Sequence, residues 1–246
     1  TDEYPYQEQE TINLDLTLSQ FGFPLDGIVV KSSPIVSDLD SDGVKEIYFG
    51  SDNEALHGYN SFGEEIDGFP FQSTDRVRSS PAVGDVDNDG QMEIVFGNSS
   101  GKLYIVNHDG SQQLAYSILG FIEGSPALVD IDGDQDFEII FNTTTTSGGK
   151  LYAIHHNGIT MSGFPKELGS MWTGPAVHDI DNDGVHDIVC TTYDKEIYAI
   201  EVNGGAIKPG FPITLEGRLD ISPTVVDVDS DGDYEIAVGS NDGELY

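Results

Sequence analysis

The sequence predicts an all-β protein, a β-propeller of four-stranded antiparallel blades, and three observations carry that expectation. An acidic loop recurs five times, its first aspartates at Asp38, Asp85, Asp130, Asp179 and Asp227 lying 47, 45, 49 and 48 residues apart, a period in the range of propeller blades. Short apolar runs of strand length flank every loop, with turn residues between them. No stretch has the apolar period of an amphipathic helix.

The loop is the most informative unit. In D-V-D-N-D-G-Q-M-E, Asp85, Asp87, Asp89 and Glu93 stand at positions 1, 3, 5 and 9, so that one tight turn can aim four carboxylates at one point. Gly90 at position 6 permits the sharp turn, and Gln91 at position 7 offers its backbone carbonyl. Such an oxygen set suits a hard cation such as calcium, which takes six to eight oxygens at about 2.3 to 2.6 Å. The other copies are Asp38, Asp40, Asp42, Val44 and Glu46; Asp130, Asp132, Asp134, Asp136 and Glu138; Asp179, Asp181, Asp183, Val185 and Asp187; and Asp227, Asp229, Asp231, Asp233 and Glu235. One D-x-D-x-D-G is a weak signal in an acidic chain, whereas five in phase are a strong one.

Taken in order, residues 1–10 read as a loose polar lead-in, and residues 11–246 as one propeller domain of five repeats. Ile12, Leu14, Leu16 and Leu18 alternate with polar residues as in a half-buried strand. Gly22-Phe23-Pro24 follows and returns as Gly68-Phe69-Pro70, Gly163-Phe164-Pro165 and Gly210-Phe211-Pro212. Each repeat then reads as four strands. The first runs from a proline into the loop (Pro81 to Gly84), the second leaves it (Glu93 to Gly97), the third is of the kind Leu103 to Val106, and the fourth is expected to carry Gly-Phe-Pro at a sheet edge, where proline is tolerated. The last repeat stops in its third strand at Tyr246 while the chain starts with a fourth-type strand, so the N-terminal segment can complete the last blade of a five-bladed ring. A fragment of a seven- or eight-bladed propeller is the alternative.

Ser79 to Gly97, S-S-P-A-V-G-D-V-D-N-D-G-Q-M-E-I-V-F-G, resembles the FG-GAP or VCBS-type repeat of the integrin alpha N-terminal propeller and its bacterial relatives, and the likeness extends over about Phe21 to Tyr246. It implies calcium in the turn between first and second strands, up to five ions, one per repeat. Two departures bear on this: Gln135 replaces the turn glycine in the third loop, where a weaker site is expected, and Asp187 shortens the last carboxylate of the fourth. The resemblance also implies that a ligand meets the opposite face. There the position three before each repeat proline differs in every blade, as Lys31, Arg78, Glu123, Trp172 and Asp220, while the preceding position stays apolar. Arg76, Tyr193 and the insertion Thr143 to Gly149 are expected on that face. A rim tryptophan covering a neighbouring blade is the structural alternative for Trp172.

Composition narrows the function. Ten basic against 44 acidic residues, a formal charge of −34, argue against nucleic acid or an anionic membrane surface as partner. Half of those acids, 22, fall at loop positions 1, 3, 5, 7 and 9. Cys190 is the only cysteine and reads as a buried inert thiol, and no apolar run is long enough to cross a bilayer. Calcium is abundant outside cells, so a secreted or cell-surface setting is expected. Asn98-Ser99-Ser100 and Asn142-Thr143-Thr144 match the N-glycosylation pattern. No catalytic residues are predicted: Gly97-Asn98-Ser99-Ser100-Gly101 spells G-x-S-x-G but falls between strands rather than at a strand-to-helix elbow, and none of the six histidines accompanies a nucleophile. The expected function is a non-enzymatic binding or adhesion module for a glycan or extracellular protein, with a structural spacer as the alternative.

Overall fold

The computed structural model describes residues 22–246, so the lead-in and the strand expected at Ile12 to Leu18 lie outside the described residues. Among the described residues there is no helix, and the strands form five antiparallel sheets in chain order. The first contains β1 (Ile35–Ser37), β2 (Glu46–Ser51), β3 (Ala55–Tyr59) and β4 (Phe71–Gln72). The second contains β5 (Ala82–Gly84), β6 (Glu93–Gly97), β7 (Lys102–Asn107) and β8 (Gln112–Ser117). The third contains β9 (Ala127–Val129), β10 (Glu138–Thr145), β11 (Gly148–Ile154) and β12 (Lys166–Leu168), and the fourth β13 (Ala176–His178), β14 (Asp187–Thr191), β15 (Glu196–Glu201) and β16 (Ile213–Thr214). The fifth has β17 (Thr224–Val226) and β18 (Glu235–Ala237), with its third strand reduced to a bridge between Gly239 and Leu245.

These are propeller blades, and they pack face to face. The first strands follow one another side by side, β1 on β5, β5 on β9, β9 on β13 and β13 on β17. Among the described residues no strand pairing joins the fifth blade to the first. Each apolar cluster spans two consecutive blades: Tyr48, Leu56 and Phe69 with Ile94, Phe96 and Tyr104, then Val95, Leu103 and Ile105 with Ile139 and Phe141, then Ile140 and Leu151 with Ile188 and Cys190, then Val189 and Ile197 with Val238. Burial on both faces explains why second strands such as Glu93–Gly97 and Asp187–Thr191 are buried along their whole length. Cys190 is fully buried, and burial pushes its thiol up to about 12, which keeps it unreactive.

Glycine lets consecutive blades touch. A Cβ on Gly50 would fall 2.4 Å from Cγ1 of Val77, and one on Gly97 would fall 2.1 Å from Cγ2 of Ile122, both residues of the next blade. Where this fifth position of the second strand holds another residue the junction is polar, as when the Asn142 side chain donates to the carbonyl of Thr173.

One expectation is corrected. Gly-Phe-Pro is not part of the fourth strand but the turn that leads into it: β4 begins at Phe71, β12 at Lys166 and β16 at Ile213, each directly after its proline, and all four Phe–Pro bonds are cis. Three of the four glycines of these turns lie against the next blade, Gly210 being the exception. A Cβ on Gly68 would meet the Asp109 carbonyl at 2.0 Å, one on Gly163 the Gly204 carbonyl at 2.1 Å, and one on Gly22 the Phe62 carbonyl at 1.7 Å. Gly22-Phe23-Pro24 therefore stands towards the first blade as the fourth-strand turn of a preceding blade does.

Candidate metal centres

Every acidic loop is the turn between the first and second strands of its blade. Position 1 directly follows β1, β5, β9, β13 or β17, and position 9 is the first residue of β2, β6, β10, β14 or β18. The backbone is wound alike in all five. Positions 4 and 6 take the left-handed conformation, as Ser41 and Gly43, Asn88 and Gly90, Gly133 and Gln135, Asn182 and Gly184, and Ser230 and Gly232. A Cβ on Gly43, Gly90, Gly184 or Gly232 would meet nothing within 4 Å, so glycine is used there for its φ and not for space. Gln135 accepts the same φ, 79°, without a glycine's freedom.

The carboxylates organise that turn. Asp85 accepts the N–H of Asp89 and of Gly90, both at 3.0 Å, and Asp89 accepts that of Gln91 at 2.8 Å. Asp38 and Asp42 repeat this around Asp42, Gly43 and Val44, as do Asp179 and Asp183 around Asp183, Gly184 and Val185. In the third and fifth loops position 1 instead takes the N–H of positions 4 and 6, at Gly133 and Gln135 and at Ser230 and Gly232. Asp136 and Asp233, the position-7 residues, donate to Asp134 and Asp231.

The last carboxylate reaches back across the loop. Glu93 accepts the N–H of Val86, Glu138 that of Ile131 and Glu235 that of Val228, each at 2.9 Å, and Asp187 accepts that of Ile180 at 3.3 Å. Glu46, Glu93, Glu138 and Asp187 are buried, whereas Glu235 is exposed. Burial raises the pKa of all four buried groups and loop aspartates reinforce it; the backbone N–H opposes it at Glu46, Glu93 and Glu138, and at Asp187 the Lys208 ammonium does so ahead of the backbone. For Glu93 the value reaches about 7.

These loops fit a divalent cation in four blades. Oxygens of Asp38, Asp40 and Asp42, of Asp85, Asp87 and Glu93, and of Asp130, Asp132 and Asp134 lie within 4.8 Å of one another in each group. Glu46 Oε2 and Asp87 Oδ1 are buried without a hydrogen-bond partner, which is what an oxygen reserved for a cation looks like. The fifth loop has the same acids and backbone turn with a more open position 9. The third differs in its surroundings: His155 Nδ1 lies 2.8 Å from Glu138 Oε1, and His156 Nδ1 lies 3.0 Å from Asp136 Oδ2.

In the fourth loop oxygens of Asp179, Asp181 and Asp187 are grouped within the same 4.8 Å, but a lysine already stands among them. The Nζ of Lys208, a side chain only 7% exposed, lies 2.7 Å from Asp181, 3.2 Å from Asp187 and 3.4 Å from Asp183. Sequence reasoning missed this residue, which stands 21 positions beyond Asp187; the available signal was a lysine at the place occupied by Ile66 and Met161 in other repeats. Burial lowers the Lys208 pKa, but Asp181 and Asp187 outweigh it and leave the ammonium firmly charged.

On the opposite face, Lys31, Arg78, Glu123 and Trp172 from four successive blades line one depression of about 460 Å³. Two of them are held by the β2–β3 or β6–β7 turn of the preceding blade: Arg78 makes paired hydrogen bonds to Asp52 at 2.7 and 3.1 Å, and Glu123 accepts from Ser99 Oγ at 2.7 Å. Ser99, the central residue of the G-x-S-x-G string, is thus a buried hairpin residue bonded to a carboxylate. Trp172 is 47% exposed. Asp220 is not among the residues lining the depression; it pairs with Arg218, which also stacks on the Tyr193 ring at 4.3 Å. Arg76 pairs with its neighbour Asp75. The insertion lengthens the β10–β11 hairpin, and Thr143, Thr145 and Ser147 line separate surface hollows beside Leu119.

The FG-GAP-like repeat family matches residues 38–96 and 85–141 of the chain. No curated protein sequence matches it. Among solved structures it is similar to BBS1N in complex with ARL6DN (14% identity, TM-score 0.62, covering 89% of this chain and 66% of that one). It is also similar to the V. cholerae biofilm matrix protein Bap1 (21%, 0.63, 86% and 35%) and to quinohemoprotein alcohol dehydrogenase from Comamonas testosteroni (12%, 0.58, 85% and 39%). The chain thus spans no more than about two thirds of any of these proteins, and at such identities the likeness is one of fold.

Proposed function

We propose that this chain of FG-GAP-like repeats, built as a β-propeller, is a non-enzymatic binding module whose acidic loops hold calcium and whose opposite face engages a protein partner. The observation that carries the reading is the depression where Lys31, Arg78, Glu123 and Trp172 converge. Four blades of one repeat supply four different side chains at the same position, while the preceding residue stays apolar in each, buried at Val77, Ile122 and Met171 and exposed at Val30. A mixed charge set around a half-exposed tryptophan suits a protein surface with a central aromatic anchor. A secreted or cell-surface setting accords with the loops, since calcium outside cells can keep weak sites filled.

Calcium supplies charge neutralisation and a cross-link between the two ends of each loop. Asp38, Asp40, Asp42 and Glu46, their counterparts in the second, third and fifth loops, and the position-7 carbonyls would hold it. An enzymatic reading could point to the quinohemoprotein dehydrogenase among the structural relatives, but that likeness is of fold alone. The glycan and spacer readings become outcomes of the test.

Trp172 is the only tryptophan, so its fluorescence reports on this face alone. Calcium-loaded protein is titrated with panels of secreted proteins and of soluble glycans, and every emission change is repeated with Trp172→Ala and Arg78→Glu by surface plasmon resonance. A protein that shifts the emission and loses at least tenfold affinity for both variants supports the reading. Glycans that do so alone replace the partner class, and binding that both variants leave intact removes the site from this face.

A further inference from the structure

We infer that Lys208 is the built-in cation of the fourth loop: its ammonium takes the carboxylates that a divalent ion would need, and this loop binds no metal. The inference rests on the calcium reading of the other loops only for the total it predicts, four ions rather than five.

The lysine enters from the hairpin after β15. Its N–H donates to the Ala199 carbonyl at 2.9 Å, as Met161 does to Ala153 at 2.9 Å and Ile66 to Gly58 at 3.1 Å, so the three residues occupy one place in their blades. Ile66 and Met161 pack there against the apolar core. Lys208 follows the same path with its methylenes and carries its charge to the end of it, into the loop. Its Nζ reaches positions 3, 5 and 9 at Asp181, Asp183 and Asp187, and stands 3.9 Å from Glu201.

Charge and room both exclude a second cation. An ion bound at about 2.3 to 2.6 Å from the same oxygens would overlap the ammonium and repel it. Withdrawing Lys208 would require its buried stem to leave the core. The shorter Asp187, where the other loops have glutamate, leaves space for Nζ, so the two departures in this repeat belong together. Asp187 Oδ1, buried and otherwise without a hydrogen-bond donor, has that ammonium as its counter-charge. A tethered cation also keeps this turn neutralised where calcium is scarce.

The test compares wild type with Lys208→Met, which restores the residue type of the third repeat, and with Lys208→Arg, which keeps the charge. Bound calcium per chain is counted by calorimetry on chelator-treated protein. It is counted again by equilibrium dialysis of protein folded in calcium, so that a variant unable to fold without metal is still scored. The expected result is one more ion in Lys208→Met than in wild type and no gain in Lys208→Arg. Melting of the Met variant in chelator should fall by several degrees and recover with calcium. Equal counts in wild type and Lys208→Met overturn the inference, as does an unchanged melting temperature in chelator. A wild type that binds no calcium beside a Met variant that binds one ion would sink the calcium reading of the other loops and leave this inference standing.

Discussion

Burial pushes the Glu93 carboxyl up to about 7; the Val86 N–H pulls it back, and Asp87, Asp89 and Asp85 raise it further. A carboxyl raised in the folded chain keeps a proton that the unfolded chain gives up near 4.5. The metal-free protein should therefore lose stability as pH rises from about 5 to about 8, by on the order of 3 kcal/mol from this group. Thermal melts in chelator across that range check it. The slope should shrink in Glu93→Gln and in calcium-loaded wild type, and a flat profile in chelator would contradict the burial argument. Gln135 gives a second expectation. It holds φ of 79° where the other loops have glycine, so Gln135→Gly should stabilise the chain by about 1 kcal/mol in denaturant titration. An unchanged or lower midpoint would mean that the Gln135 side chain makes compensating contacts.

Strands and turns were legible to different degrees. The second strands could be read to the residue, because a run such as Glu93 to Gly97 begins at the loop carboxylate and is apolar on both faces. The fourth strands were misplaced by a few residues, because Gly-Phe-Pro has the composition of an edge strand but packs its glycine on the turn of the next blade. The blade junction itself can be tested at the end of β6. Gly97→Ala would press a methyl group onto Ile122, 2.1 Å from Cγ2, and should cost about 1 to 3 kcal/mol by denaturant unfolding. A neutral substitution would show that consecutive blades slide freely at this contact.

Across the whole chain, 44 acids face ten basic groups, and half of those acids are gathered in five turns. Self-repulsion is therefore concentrated where divalent ions would relieve it. Raising sodium chloride from about 0.05 to about 0.5 M should stabilise the chelated protein by several degrees, and the calcium-loaded protein by much less. Equal shifts in the two forms would show that the loops are not the seat of the repulsion. The depression opposite is a property of the assembled blades: Lys31, Arg78, Glu123 and Trp172 are 47, 45 and 49 residues apart in sequence and line one hollow.

The period, the strand order and the acidic turns are local facts, set by residues a few positions apart, and the chain declares them in its sequence. Asp85 and Glu93 need only eight residues and one left-handed turn to face each other. The partners that cross from one hairpin or blade to another are of a different kind. Lys208 fills a loop that ends 21 residues before it, Arg78 is held by Asp52 of the preceding blade, and Gly97 makes room for Ile122. No local pattern names the partners of these residues, because their distances come from how hairpins curl and blades stack. The repeat made five loops look alike; the packing around them sets the fourth apart.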